Sequence, residues 1–248
     1  MDNSQNVITA LTADPMNPDK VHVFIDGKHA LAVSLDVAAA ERLTVGQACP
    51  PERIKRLESA QEEAQVYEFA LNFLSYRPRS AREVEQRLRK KGITPEQIEA
   101  VMERLRKKGY VDDQAFARFW IGNRQTFSPR GPRLLRSELR QKGVPQDVVD
   151  AALSEYQEEQ AEREEQSAQV AFEAGIADDE PAPGSDEATA LALARKRMRV
   201  LSNLDPVTAK RRLSSFLARR GYGYDTIGPV LQRVLSPAED EETDTDDM

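Results

Sequence analysis

The pattern of apolar and polar residues changes along the chain from short β-rich runs to the three- and four-residue spacing of helices. The β-rich runs are "VITALTADP" at 7–15 and "KVHVFIDGKHALAVS" at 20–34. Asp26-Gly27 divides the second run, and this dipeptide is favoured in two-residue hairpins because both turn positions need a positive φ. The pattern predicts a small β-hairpin or meander at the N-terminal end.

Helices are predicted after this β segment. The stretch "SLDVAAAERLTVGQ" is typical of a short helix that begins at Ser34 or Asp36 and ends near Gly46. From Pro51 to Tyr76 the apolar residues recur at helical steps, which predicts a second, longer helix.

Capping residues and glycines indicate where the next helices begin and end. Ser80 and Glu83 have the spacing of a capping box, and Gly92 is a natural left-handed terminator. The Thr-Pro pair at 94–95 begins the following helix, and Gly109 closes it.

The helical pattern repeats. A shift of 51 positions aligns residues 69–98 with 120–149, and a further shift of 78 extends the pattern to 198–227. The aligned positions include Phe69 with Trp120, Pro78-Arg79 with Pro129-Arg130, Leu88 with Leu139 and Leu217, and Gly92 with Gly143 and Gly221. We therefore predict a mainly α protein with three tandem three-helix repeats in an elongated arrangement, in which the glycines turn the chain back over three small cores. The predicted segments are a β-rich element with a short helix at 1–50, repeats at 60–110, 111–153 and 188–235, an acidic insertion at 154–187 and a disordered acidic tail at 236–248.

The acidic insertion leaves two interpretations open. Its first part, "SEYQEEQAEREEQSAQVAFEAG", is rich in helix formers and could extend the last helix of the second repeat. The following "IADDEPAPGSDE" cannot continue a helix, because Pro and Gly interrupt it.

Charge is segregated along the chain, although the formal net charge is only -7. Residues 77–144 carry 18 Lys/Arg against 8 Asp/Glu, and residues 191–235 carry 10 against 2. Residues 154–190 carry 12 acids and one Arg, and the tail from 236 carries 7 acids and no base. Two basic blocks therefore coincide with predicted helical repeats, while the acids collect in segments that need not fold.

The remaining composition excludes several classes of protein. Aromatic residues are 6% and charged residues 31% of the chain, which favours thin helical cores. Cys49 is the single cysteine, so an intramolecular disulfide framework and a multi-cysteine zinc site are excluded. The N-terminus is polar and acidic, and no apolar run is long enough to cross a bilayer. We expect a cytoplasmic protein and a monomer.

The tandem units, together with "YRPRSAREVEQRLRKKGI" at 76–93 and "RLRKKGYVDDQAFARFW" at 104–120, resemble the regulatory protein RecX family. The resemblance covers roughly residues 60–235 and is strongest in the first two repeats; the β-rich segment resembles an extension that many members carry. The resemblance implies a protein that is no enzyme and needs no cofactor. It implies binding in the groove of the RecA recombinase filament, and inhibition of RecA's strand exchange, ATP hydrolysis and co-protease functions in DNA repair and the SOS response. The long insertion and tail depart from the compact family pattern.

The candidate binding residues are the repeated cations. Arg82, Arg133 and Arg211 align in the second helix of each repeat. A cation near a helix N-terminus is disfavoured by the helix dipole, so its presence there has to be explained by something other than helix stability. One explanation is that it binds the phosphates or acidic side chains of a partner. The alternative is that Arg82 and Arg133 pair with acids of a neighbouring repeat. The basic helix ends are the second set: Arg89, Lys90, Lys91, Arg140, Lys142, Arg219 and Arg220. These cations also complement the helix dipole, so a purely structural role remains open for them.

Other chemistry-bearing residues receive structural interpretations. The helical spacing of the aromatic residues indicates packing for most of them, and Tyr110 and Tyr222 are expected to be partly exposed. The set is Phe69, Phe116, Phe119, Trp120, Phe127 and Tyr110. Two histidines, His22 and His29, are diagonal across the hairpin but lack further metal ligands, and Cys49 has no histidine partner nearby in the sequence. The pair Asp112-Asp113 precedes an apolar helix and is interpreted as its N-cap.

Two other functions compete with filament binding. An enzyme is disfavoured because no histidine follows His29, no glycine-rich phosphate loop follows a strand and no nucleophile elbow is present. A helical DNA-binding protein that acts independently of RecA, on single-stranded or double-stranded DNA, is the alternative. The cations are spread over three units rather than concentrated in one recognition helix, which favours a long repeating partner.

Overall fold

The computed structural model describes residues 6–174, 181 and 185–235, and it divides into two compact units, Met1–Asp112 and Asp113–Met248. The part of the chain that it describes contains one three-stranded antiparallel sheet and ten helices. The predicted fold class, mainly α with three three-helix repeats and a small N-terminal β element, is confirmed.

The N-terminal sheet is a meander in the order β1-β2-β3. Its strands are β1 (Ile8–Ala13), β2 (Lys20–Ile25) and β3 (Lys28–Ser34). Asp26 and Gly27 form the turn between β2 and β3 with φ values of 48° and 78°, as the Asp-Gly pair predicts. One face of the sheet is buried, and Val23 and Val33 pack there against Leu57.

The first helix, α1 (Leu35–Ala40), is shorter than predicted. The Ser34 hydroxyl accepts a hydrogen bond from the Val37 amide at 3.2 Å and caps its N-terminus. The predicted end near Gly46 is wrong because the backbone leaves the helix at Arg42, which has a φ of 50°.

The second helix, α2 (Pro51–Ser75), belongs to two cores. Near its start, Leu57 is buried in the cluster beneath the sheet. Further along, Val66 and Ala70 are buried in the core of the first three-helix repeat. The β element and the first helical repeat are therefore joined by one continuous helix.

The remaining helices of the first repeat are α3 (Ala81–Lys90) and α4 (Pro95–Lys107). The predicted capping box of α3 is present: the Ser80 hydroxyl accepts from the Glu83 amide at 3.2 Å, and the Glu83 carboxylate accepts from the Ser80 amide at 3.4 Å. The cap of α4 is reciprocal in the same way, between Thr94 and Gln97.

The second and third repeats repeat this arrangement. Their helices are α5 (Asp113–Phe127), α6 (Pro132–Gln141), α7 (Gln146–Ala174), α8 (Asp186–Leu201), α9 (Pro206–Arg219) and α10 (Tyr224–Leu235). The aligned leucines are fully buried, each in the core of its own repeat: Leu88, Leu139 and Leu217. The helix-ending glycines at 92, 143 and 221 all have a positive φ. Helix α7 continues to Ala174, so the first part of the acidic insertion extends the second repeat. The tail and most of "IADDEPAPGSDE" lie outside the described residues.

Backbone contacts connect the second and third repeats. The Gly131 amide donates to the Arg220 carbonyl at 2.9 Å, and the Arg133 amide donates to the Gly221 carbonyl at 3.3 Å. A Cβ atom at Gly131 would lie 2.4 Å from the Gly221 carbonyl carbon, so the two turns meet without side chains between them. We call this contact the glycine seam. It is built from Pro129, Gly131, Arg133, Arg220 and Gly221.

A buried polar cluster also connects these repeats. The Tyr156 hydroxyl donates to Asp186 Oδ1 at 2.8 Å and accepts from Gln125 Nε2 at 2.8 Å. Tyr222 is only 2% exposed, so the prediction that it would be partly exposed is wrong. The chain reverses at Gly221, and this turn places the Tyr222 ring in the core of the third repeat. Burial raises the pKa of Tyr156 and of Tyr222 well above the usual tyrosine value.

The raised pKa of Asp186 predicts that the stability of the second unit depends on pH. Burial raises the pKa of Asp186, the neighbouring Glu164 and Asp225 raise it further, and the Tyr156 hydrogen bond opposes them. Because the pKa of Asp186 is raised by folding, the folded protein binds this proton more tightly than the unfolded chain does. Protonation of Asp186 therefore stabilises the fold fully below the ordinary pKa of 3.8. That stabilisation is lost as the pH rises through the pKa of the folded state.

We therefore expect the native chain to gain stability relative to Asp186→Asn as pH falls from neutral toward about pH 4. Urea denaturation of both proteins at several pH values measures this difference. The same slope of stability against pH in both proteins would contradict the expectation.

Candidate partner-binding surface

The three aligned arginines are exposed on the second helix of each repeat. Arg82 and Arg133 are each the second residue of their helices, α3 and α6. Arg211 lies more than a turn inside α9, because that helix begins earlier, at Pro206. Counted from the last residue of each helix, however, all three occupy the same position. The helix dipole therefore opposes only the first two cations, whereas the equivalence of position holds for all three.

The side chains of these arginines are available to a partner. All three are exposed, and none makes an ion pair or side-chain hydrogen bond within residues 6–174, 181 and 185–235. The alternative, pairing of Arg82 and Arg133 with acids of a neighbouring repeat, finds no support in the described residues.

The cation at the C-cap of each second helix, by contrast, lies against an aromatic ring of its own repeat. Lys91 Nζ is 5.6 Å from the centre of the Phe69 ring, and Lys142 Nζ is 4.8 Å from that of Trp120. In the third repeat the aligned Arg220 lies 5.3 Å from the Phe216 ring. Cation–π contacts of this kind stabilise the helix end from within.

Arg220 has a further structural role, because its guanidinium donates to the Pro129 carbonyl at 3.3 Å across the glycine seam. Two other predicted residues are engaged on their own repeats: Arg89 pairs with Glu85 at 3.5 Å, and Arg140 donates to the Gln146 side chain. Lys90 and Arg219 are exposed and make no such contact in the described part of the chain. The predicted set thus divides into free and engaged cations. The free cations are Arg82, Lys90, Arg133, Arg211 and Arg219.

Basic residues outside the predicted set enlarge the charged surface of the third repeat. Lys210 and Arg212 flank Arg211 on α9, and Lys196 and Arg199 lie on α8; all four are exposed. The excess of Lys and Arg in residues 191–235 was the signal for them. Alignment of the repeats does not identify these four cations, because they do not recur at equivalent positions of the second helices, and only recurring cations entered the predicted set.

The aromatic residues do not all pack as predicted. Phe116 is 1% exposed and lies in the core of the second repeat with Trp120 against it, whereas Phe127 is 78% exposed. Phe127 is one of the exceptions to the predicted packing, because it is the last residue of α5, where the chain leaves the core to reach α6. Phe119, on the same helix, is 39% exposed. Tyr76, one residue past the end of α2, is 84% exposed. Tyr110 is 54% exposed, as expected.

The described residues offer little chemistry for metal binding or nucleophilic attack. No group of three or more His, Cys, Asp and Glu residues there is arranged to hold a metal ion. His22 Nδ1 lies 2.9 Å from His29 Nε2, so the two histidines bond to each other. The Cys49 side chain is fully buried, and burial raises the pKa of its thiol, which disfavours a thiolate nucleophile. In the same part of the chain, no helix combines the length and the apolar character needed to span a bilayer.

Sequence models of known families match all three repeats. The models described as the first, second and third three-helix domains of RecX match residues 67–105, 112–153 and 185–231, together more than half of the chain. The chain belongs to the RecX family. The RecX match to the first repeat begins inside α2, beyond the part of that helix that packs on the sheet.

Individual RecX proteins are similar over most of the chain. The regulatory protein RecX of Bacillus licheniformis is 27% identical over 228 residues, which span 92% of this chain and 77% of that protein. The regulatory protein RecX of Bacillus subtilis is 28% identical over 227 residues, 92% of this chain and 76% of the relative. A crystal structure of a regulatory protein RecX has the same fold, with a TM-score of 0.71 and 22% identity over 90% of this chain and 98% of the other.

Proposed function

We propose that this protein binds the RecA nucleoprotein filament and lowers RecA's ATP hydrolysis, strand exchange and co-protease activity in DNA repair and the SOS response. Membership of a family of regulatory proteins supports a regulatory rather than a catalytic role. One observation carries the proposal. Three successive repeats each have an exposed arginine at the equivalent position, and none of the three forms an ion pair among the described residues: Arg82, Arg133 and Arg211.

A repeating partner explains why the cation repeats. A filament offers acids and DNA phosphates at regular intervals, so successive helical repeats can each place one arginine on it. Linked weak contacts add through effective concentration and give stable association without a single strong site. Exposed Lys90 and Arg219 add longer-range attraction, which salt weakens.

The test is RecA ATPase on single-stranded DNA with increasing amounts of the double variant Arg82→Glu/Arg133→Glu. We expect this variant to need about tenfold more protein for half-maximal inhibition, because like charges then face the partner. Lys28→Glu/Lys55→Glu is the matched control, since it changes the net charge equally at exposed positions outside the repeated set.

Circular dichroism and thermal melting should be unchanged in both variants, because the substituted side chains lie on the surface. A folded Arg82→Glu/Arg133→Glu protein that inhibits like the native chain would contradict the proposed role of these arginines. Binding to DNA with no effect of the native chain on RecA would support the alternative, a DNA-binding protein that acts independently of RecA.

We further propose that the acidic insertion and the acidic tail compete with DNA phosphates for the basic helices, and the tail is the segment tested. This hypothesis rests on the sequence, since residues 236–248 carry 7 acids and no base and follow directly on the basic third repeat. Deleting the tail should strengthen binding to bare DNA at low salt and have little effect at high salt, where charges are screened.

Fluorescence anisotropy with labelled DNA measures this binding. A tail of equal length with Asn and Gln in place of the acids is the matched control, and it should behave like the deletion. Unchanged affinity in both proteins would contradict the hypothesis.

A further inference from the structure

Two of the most exposed aromatic side chains in the described residues occupy equivalent positions in the first two repeats. Tyr76 is 84% exposed and Phe127 is 78% exposed, and the 51-residue shift places one on the other. Each follows or ends the first helix of its repeat, in "YRPRS" and "FSPRG". Single exposed aromatic residues are ordinary, but two at equivalent positions, each beside an aligned Pro-Arg, form a pattern.

The neighbouring side chains leave the Tyr76 ring uncovered. Arg77 donates to both carboxylate oxygens of Glu83, at 3.2 and 3.0 Å, and so points along the capping box. Arg79 lies over the Phe73 ring at 4.0 Å from its centre. Both guanidinium groups near Tyr76 are therefore occupied within the first repeat.

The surroundings of Phe127 are similar. The aligned Arg130 is 3.7 Å from Glu138, and its carbonyl accepts from Gln125 Nε2 at 3.0 Å. Arg124, one turn before Phe127, donates to Glu138 at 2.7 Å and lies over the Trp120 ring. Here too the nearby cations are engaged on their own repeat, and the ring is left to solvent.

In each of these two repeats, an arginine with no ion pair among the described residues follows the exposed ring a few positions later in the sequence. Arg82 follows Tyr76 at the same spacing as Arg133 follows Phe127, and both are exposed and unpaired within the described ranges. Each of the two junctions between first and second helices thus presents an exposed ring at its start and an exposed guanidinium just beyond its end.

We propose that each junction binds single-stranded nucleic acid, with the ring stacked on a base and the arginine on the backbone phosphate. An aromatic ring binds any base through its π face, and arginine neutralises the phosphate charge. The excess of 18 Lys/Arg over 8 Asp/Glu in residues 77–144 complements a polyanion. In a duplex, both faces of each base are already stacked, so a ring has access only at the cost of unstacking.

The third repeat lacks this site. Its equivalent position is Asp205, which caps α9 by accepting from the Thr208 amide at 2.9 Å. The proposal therefore concerns two sites, one in each of the first two repeats, and it extends beyond RecA binding to a contact with the nucleic acid itself.

The experiment is anisotropy of a fluorescein-labelled oligothymidylate with the full chain and without RecA. Tyr76→Ala/Phe127→Ala should raise Kd about tenfold or more, because both stacking faces are lost. Tyr76→Phe/Phe127→Tyr should bind within about twofold of the native chain, since the faces remain. Tyr224→Ala is the matched control, because Tyr224 is 79% exposed but has no aromatic counterpart in the other repeats, and it should leave Kd unchanged.

Other outcomes overturn the proposal. The proposal is wrong if the native chain does not bind the oligonucleotide, or if the double alanine variant melts like the native chain and has the same Kd. It is also wrong if the double alanine variant loses as much affinity for a duplex of the same length as it loses for the single strand. In a separate RecA ATPase assay, loss of inhibition by the double alanine variant, together with intact oligonucleotide binding, would assign the rings to a protein partner and would also overturn the proposal. Because the anisotropy assay contains no RecA, its result is independent of the proposed inhibition of RecA.

Discussion

Gly131→Ala is expected to lower the free energy of unfolding of the second unit, Asp113–Met248, by about 3 kcal/mol or more. The added Cβ would lie 2.4 Å from the carbonyl carbon and oxygen of Gly221 and 2.5 Å from the Tyr222 nitrogen. These are backbone atoms, which cannot move aside as a flexible side chain can. The glycine seam must therefore open, and its two backbone hydrogen bonds are lost with it.

The physical reason is steric rather than conformational. Gly131 has a φ of -73°, which any residue adopts, so alanine introduces no backbone strain of its own. Gly122→Ala is the matched control: it lies in α5, a Cβ atom there would meet nothing within 4 Å, and the change should be neutral or stabilising by up to about 1 kcal/mol. Urea denaturation of both variants measures the difference. A Gly131→Ala protein as stable as Gly122→Ala would show that the seam does not hold the second and third repeats together.

Leu139→Ala should destabilise the same unit by about 2–5 kcal/mol. Leu139 is fully buried in the core of the second repeat, where Phe116 and Leu153 are also buried, and a small three-helix core has few side chains that can move into the cavity. Val207→Ala is the control, because Val207 is 78% exposed on α9 and should change stability by less than about 0.5 kcal/mol. Chemical denaturation monitored by circular dichroism tests both, and equal stabilities would contradict the position assigned to Leu139.

Features of the fold that depend on local chemistry were predictable from the sequence. Ser80 and Glu83 form the capping box that their spacing indicates, and Asp26-Gly27 forms the expected turn. Gly92 and Gly143 adopt the positive φ expected of helix-ending glycines. In each case the residues that determine the local structure lie within a few positions of one another, so a short stretch of sequence is enough to predict it.

Features that depend on distant parts of the chain were not predictable. Gly131 has the sequence context of an ordinary turn residue, and only the structure shows that it meets Gly221. The burial of Tyr222 and the exposure of Phe127 likewise depend on where a chain reversal directs a side chain.

The candidate binding residues show the same division. The repeat identifies Arg82 and Arg133 as equivalent, and the structure leaves both exposed. The structure also places the Lys142 ammonium over the Trp120 ring. The sequence did not indicate this contact, because the two residues lie on different elements. Composition alone therefore overestimates how many of the repeated cations are free to bind.

Helix α2 fixes the rotational phase between the sheet and the first helical repeat. Leu57 is buried under the sheet and Val66 in the helical core, and the helix between them is uninterrupted. Each residue of an α-helix advances the side-chain direction by about 100°. One residue inserted between these positions would turn one buried stripe away from its core while the other stayed in place, so evolution can lengthen this segment only in steps close to whole helical turns.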